Sequence, residues 1–222
     1  MAGTSKTGRV PRNRRPPVPA RRSTMPFIVG GLAILVVVAA IVAFALSGTG
    51  SGGMAEPARR PITISGNLLP TLADPNSDPA VGQTIPTMSG IGLDAQPLEI
   101  GADDGPIAIV IVAHWCPVCQ AELPVVADVI AQGRVPAGVT VVGISTGIDA
   151  VRPNYPPSAW LEREGWTQPT LIDDADSTAL RALGIGAFPG FVFVGADGTV
   201  ALRQTGAIGV DRFAQALEVI AP

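Results

Sequence analysis

The sequence predicts an α/β domain, a mixed β-sheet flanked by helices, preceded by one transmembrane helix. Three observations predict it. Phe27 to Leu46 is a run of twenty residues without a charge. Pro106 to Ala113 and Val139 to Ile144 are continuous apolar stretches rich in Ile and Val, the pattern of strands buried on both faces. Helix-like segments separate these strands from later ones, and the last two strands close in a hairpin, so parallel and antiparallel neighbours are expected in one sheet.

Residues 1–25 hold Pro11, Pro16, Pro17 and Pro19 among arginines and lack apolar periodicity. Such a segment cannot bury enough surface to offset its chain entropy, and a disordered basic arm is expected. Residues 26–46, as a helix, span roughly 30 Å, the thickness of a bilayer core. Up to Pro26 there are seven basic residues and no acid, so the positive-inside rule leaves the arm in the cytoplasm and sends the rest of the chain outside. A cleaved signal peptide is the alternative, since Ala43-Phe44-Ala45 fits a small-x-small cleavage site. Residues 47–80 begin with a Gly/Ser run and continue with scattered Pro and Asp, the composition of a flexible linker. The folded domain is expected over 81–222, long enough for one core.

Within it, Thr87 to Ile91 and Gln96 to Ile100 read as short strands around Gly92 and Asp94. The buried strand of 106–113 follows, then a helix from Cys116 or Pro117 to about Gln132; Pro117 suits its first turn and Pro124 an internal kink. After the strand of 139–144, a short helix from Ser158 to Glu164, capped by Ser158, is expected. Thr170 to Ile172 is a strand, Ser177 to Leu183 a helix. Phe191 to Val194 and Val200 to Gln204 form the hairpin through Asp197-Gly198. Asp211 to Ile220 is the last helix. Beyond the basic arm, eight basic residues face eighteen acidic ones, a poor surface for nucleic acid, and no nucleic-acid partner is expected.

The chemistry concentrates at Ala113-His114-Trp115-Cys116-Pro117-Val118-Cys119, which holds the only two cysteines. At a helix start, the dipole and first-turn N–H groups favour ionisation of the more N-terminal thiol, making Cys116 the nucleophile. Cys119, one turn on, can attack a mixed disulfide on Cys116 and release product. The competing readings are a stapling disulfide, which would remove little entropy from so short a loop, and a metal site. Structural zinc wants four ligands where Cys116, Cys119 and His114, the sole histidine, offer three at most. Copper(I) on two thiolates stays open as a chaperone function. No metal and no diffusible cofactor are expected beyond a redox-active Cys116–Cys119 disulfide. His114 reads as a solvent-turned side chain at the strand end or, if protonated, as an aid to Cys116 ionisation.

Trp115-Cys116-Pro117-Val118-Cys119, followed by Glu122 and Pro124, resembles the membrane-tethered, extracytoplasmic, thioredoxin-like thiol-disulfide oxidoreductases of the TlpA/ResA/CcmG type. The resemblance covers about residues 81 to 221. It is supported by Val81 to Pro86, by Gln168-Pro169-Thr170-Leu171-Ile172-Asp173 and by Gly184 to Val194 with the Asp197-Gly198 turn. It implies a cis peptide bond before Pro189, whose loop faces the cysteines and receives substrate backbone beside Trp115, Pro117 and Phe188. Phe188 departs from the Thr common there. The buried aspartate of ordinary thioredoxin is replaced by Val110, and Glu122, matching the family's glutamate, is the expected proton partner of Cys119, with an exposed first-turn glutamate as the alternative. Asp173, Asp174 and Asp176 read as a capping cluster, and Trp160 and Trp166 as packing. The resemblance implies exchange with protein thiols and disulfides, more as a reductant of the cytochrome c maturation kind, with a membrane redox partner recharging the pair. A DsbA-like oxidant is the alternative, since proline also follows the first cysteine there.

Overall fold

A computed structural model describes residues 59–222. The expected basic arm of 1–25, the transmembrane helix of 26–46 and the first part of the linker lie outside the described residues. No helix among those described is long and apolar enough to cross a membrane.

One mixed sheet organises the described chain. Its strands are β1 (Thr63–Ser65), β2 (Thr87–Gly92), β3 (Pro97–Ile100), β4 (Ile107–Val112), β5 (Thr140–Ser145), β6 (Thr170–Ile172), β7 (Gly190–Val194) and β8 (Val200–Thr205). They lie in the order β1-β2-β6-β5-β4-β7-β8, with β3 on β2. The helices are α1 (Pro117–Ala131), α2 (Pro157–Arg163), α3 (Thr178–Ala182) and α4 (Gly209–Ile220). α1 carries the crossover between parallel β4 and β5, and α2 that between parallel β5 and β6. β7 returns antiparallel to β4 and pairs with β8 as the expected hairpin.

β4 is buried at every position, as its unbroken apolar run requires. Its alternate residues feed two cores. Ala108, Val110 and Val112 pack with Leu123 and Val126 of α1, Trp160 of α2 and Phe213 and Leu217 of α4. Ile107, Ile109 and Ile111 pack on the other side with Ile62, Leu69, Leu180 and Leu183. α1 runs through Pro124 and ends at Gly133, whose φ of 68° and whose neighbour's bond, Arg134 N to Val129 O, form a glycine-terminated stop.

Three expectations are corrected. The linker does not extend to residue 80. β1 pairs with β2, Ile62, Leu69 and Ala80 enter the second core, and Leu69 and Leu72 donate backbone hydrogen bonds to Ala182 and Gly184. The few apolar residues spaced among Pro and Asp suffice to dock the segment. Arg203 then clamps it through a buried ion pair with Asp78 and a hydrogen bond to Pro70 O. α2 starts at Pro157 with Pro156 as its N-cap, one residue before the Ser158 expected to cap it, because Pro at the first position needs no N–H partner. α4 begins at Gly209, two residues before Asp211, because its cap comes from a remote side chain, Glu122.

Candidate active site

The strand register assembles the site. Pairing of Ile111 with Gly190 places Phe188-Pro189, just before β7, beside the end of β4, where the chain turns into the cysteine motif. The Phe188–Pro189 peptide bond is cis. Cys116 caps α1 with its own sulfur: Sγ accepts the Cys119 N–H at 3.4 Å, and the thiol donates to Phe188 O at 3.6 Å. Pro117 occupies the first helical position. Both cysteines are free thiols, Cys116 6% exposed and Cys119 fully buried, so only the first presents sulfur to an incoming group. Burial, reinforced by the neighbouring Cys116 thiol, pushes the Cys119 thiol far above its ordinary value. It is therefore a protonated reserve at neutral pH, while Cys116 has a first-turn N–H aimed at it.

Trp115 is held by a hydrogen bond from Nε1 to Gly147 O at 2.7 Å and meets the Phe188 ring edge-on, with centroids 5.4 Å apart. Phe188 thus forms one wall with Trp115 beside Cys116.

His114 is corrected on both expectations. It is fully buried, and both ring nitrogens are taken: Nδ1 lies 2.6 Å from Pro153 O, and Nε2 accepts the Asp149 N–H at 3.2 Å. This pairing requires the neutral imidazole protonated on Nδ1, since an Nε2 proton would oppose the Asp149 N–H. His114 therefore fastens the loop of residues 147–155 beside Trp115; it neither faces solvent nor lends Cys116 a charge, and no ring nitrogen is left for a metal. Among the described residues no group of three or more His, Cys, Asp or Glu side chains is placed to hold a metal.

Glu122 is buried, not exposed: Oε1 accepts the N–H groups of Ile208 and Gly209 and so caps α4 from α1. Asp173 and Asp174 act as the expected caps. Asp173 takes Ala179 N, Leu180 N, Asp174 N and Thr146 Oγ1, and Asp174 takes Thr178 N and Asp176 N. Burial raises the Asp173 carboxyl above the usual carboxylate range despite those donors. Trp160 and Trp166 are core residues.

Sequence reasoning missed the 147–155 loop, including Arg152, whose Cζ sits 4.6 Å above the Trp115 ring. No local signal marks it; its place depends on the distant bonds to His114 and Trp115.

A family model described as Redoxin matches residues 80–220. Among solved structures, dsbF of MTB, in mixed oxidized and reduced forms, is 26% identical and covers 60% of this chain and 94% of that one, with a TM-score of 0.50. A thiol:disulfide interchange protein from Chlorobium tepidum is 22% identical, covering 65% and 99%, with a TM-score of 0.52. StoA from Bacillus subtilis is 15% identical, covering 62% and 98%, with a TM-score of 0.50. The last two show the shared thioredoxin-like fold. The curated proteins yield no match.

Proposed function

This chain belongs to the Redoxin family and is a thiol-disulfide oxidoreductase, and from that premise we propose that it exchanges disulfides with protein substrates outside the cytoplasm through Cys116 and Cys119, as a reductant. The observation that carries the reading is the asymmetry of the pair, one rim sulfur receiving a helix N–H beside the Phe188-Pro189 loop and one buried protonated thiol behind it. The Cys116 thiolate attacks one sulfur of a substrate disulfide. That S–S bond breaks, a mixed disulfide forms, and the other substrate sulfur leaves and takes a proton. Cys119 then loses its proton and attacks Cys116 Sγ, releasing the second substrate thiol and leaving a Cys116–Cys119 disulfide. Two electrons pass to the substrate, and a membrane thiol partner restores the dithiol.

Strong oxidants stabilise their reduced form through the thiolate. Here the nearest histidine is tied up as a neutral ring and lends the first cysteine no charge, which supports the reducing direction. Pro117 favours the oxidising alternative, which a potential well below the roughly −120 mV of strong oxidants would remove. Placement outside the cytoplasm draws its support from the basic arm and the uncharged run of twenty residues, and cytochrome c maturation, as the kind of process served, from the resemblance of the cysteine motif to the TlpA/ResA/CcmG type. Pro189 and Phe188 line the groove for substrate backbone with Trp115 and Pro117. Glu122 is proposed as the cap of α4, with a proton relay to Cys119 as its rival role.

The test uses the full chain. Cys116→Ala should abolish insulin reduction, and Cys119→Ala should trap substrates as mixed disulfides on Cys116, naming them. Unchanged insulin reduction by Cys116→Ala would sink the proposal.

A further inference from the structure

The 147–155 loop brings positive charge to the mouth of an acidic domain. Residues 59–222 hold eight arginines against seventeen acidic residues, and Arg203 is buried with Asp78. Two of the remaining arginines meet at this loop. Arg59 donates through Nη1 to Ile148 O at 3.0 Å, and Arg152 lies over Trp115, the residue before Cys116. The loop is held in place before any substrate arrives. His114 accepts the Asp149 N–H and donates to Pro153 O, Asn154 Nδ2 donates to His114 O, and Trp115 donates to Gly147 O.

The Arg152 guanidinium is oriented but not used up. Its Cζ lies 4.6 Å from the centroid of the indole, within cation–π range. Its one ion pair among the described residues, Nε to Asp149 Oδ2 at 3.6 Å, is longer than a hydrogen bond and lies in solvent, with the two side chains 54% and 45% exposed. Asp149 is itself turned to its own loop, its Oδ1 accepting Val151 N. Among the described residues the guanidinium makes no hydrogen bond, so its terminal N–H pair is free for the bidentate geometry that suits a carboxylate. Val151 and Tyr155 of the same loop and Val118 of the cysteine motif are large hydrophobic side chains left exposed.

Resting on the exchange reading above, we propose that Arg152, supported by Arg59, is a specificity-determining residue that selects protein substrates carrying a carboxylate next to the sulfur attacked by Cys116. In an extended peptide, at about 3.3 Å per residue, an Asp or Glu within about two positions of the cysteine is the group in reach.

The test uses three synthetic peptides, identical except for Glu, Gln or Lys beside a single cysteine, each supplied as its symmetric disulfide to the reduced full chain. The rate of disulfide reduction should favour Glu over Lys by roughly fivefold at low ionic strength and less at high salt. Arg152→Lys should retain part of the preference, Arg152→Gln should bring the ratio towards one, and Arg152→Glu should invert it, in variants whose thermal unfolding matches the parent. A Glu-to-Lys ratio near one in the parent, or a ratio unmoved by Arg152→Gln, overturns the proposal. Oxidised glutathione, which also carries carboxylates, is the fourth probe. If it outpaces every peptide with the same dependence on Arg152, the site reads a small thiol and the protein-substrate assignment falls. Failure to reduce any of the four would instead refute the exchange reading itself.

Discussion

Glu122 shows how one residue's surroundings decide its role. Its position three residues after Cys119 suggests a proton partner, yet its Oε1 is committed to the N–H groups that open α4. A carboxylate there satisfies two orphan donors and complements the helix dipole. Glu122→Ala should therefore cost about 1–2 kcal/mol in urea unfolding, and Glu122→Gln, which keeps an acceptor, about half that. The pH profile of insulin reduction should keep its shape in Glu122→Gln. A lost or displaced limb in that profile would restore the relay role.

At the scale of elements, the turn after α3 is as constrained as the cysteine helix. Gly184 has φ of 64°, and a Cβ there would stand 2.2 Å from Pro70 O and 2.9 Å from Leu69 O. Its carbonyl also accepts Leu72 N, so the turn is the dock on which residues 69–72 rest. Gly184→Ala combines a disfavoured backbone region with a backbone collision that no rotamer relieves. We expect it to lose at least roughly 1–3 kcal/mol in urea unfolding. Gly133, equally left-handed at φ 68° but with open space around its Cβ position, should tolerate Ala better, losing only about 1 kcal/mol.

For the described domain as a whole, the Asp78–Arg203 pair holds the N-terminal segment on the sheet. Arg203 donates to both carboxylate oxygens and to Pro70 O and Leu183 O, and its side chain is fully buried. Asp78→Asn leaves a buried cation short of its partner and should cost about 3–5 kcal/mol. The guanidinium beside Asp78 holds its carboxyl below the ordinary 3.8. A depressed folded value means that the unfolded state binds the proton first as pH falls. The contribution is therefore complete above about pH 5 and fades as pH drops through the folded value. Unfolding of parent and variant should differ most near neutral pH and converge in strong acid; a gap that widens in acid would contradict the assignment.

What the sequence determined by itself was whatever local pattern encodes. The unbroken apolar run of β4, the α1 start at Pro117, the hairpin turn at Asp197-Gly198 and the cysteine spacing were legible because period and turn chemistry belong to neighbouring residues. The cis bond before Pro189 was legible only through resemblance. The tertiary structure decided everything that depends on partners far along the chain. His114 is neutral because residues 149 and 153 reach its two nitrogens. Glu122 caps a helix 86 residues away, residues 62–80 fold because Arg203 and Gly184 receive them, and Arg152 reaches the site because the loop around His114 carries it there. A side chain's charge and hydrogen bonds are set by which remote backbone groups face it, and that follows from strand register and loop docking, which no local periodicity specifies.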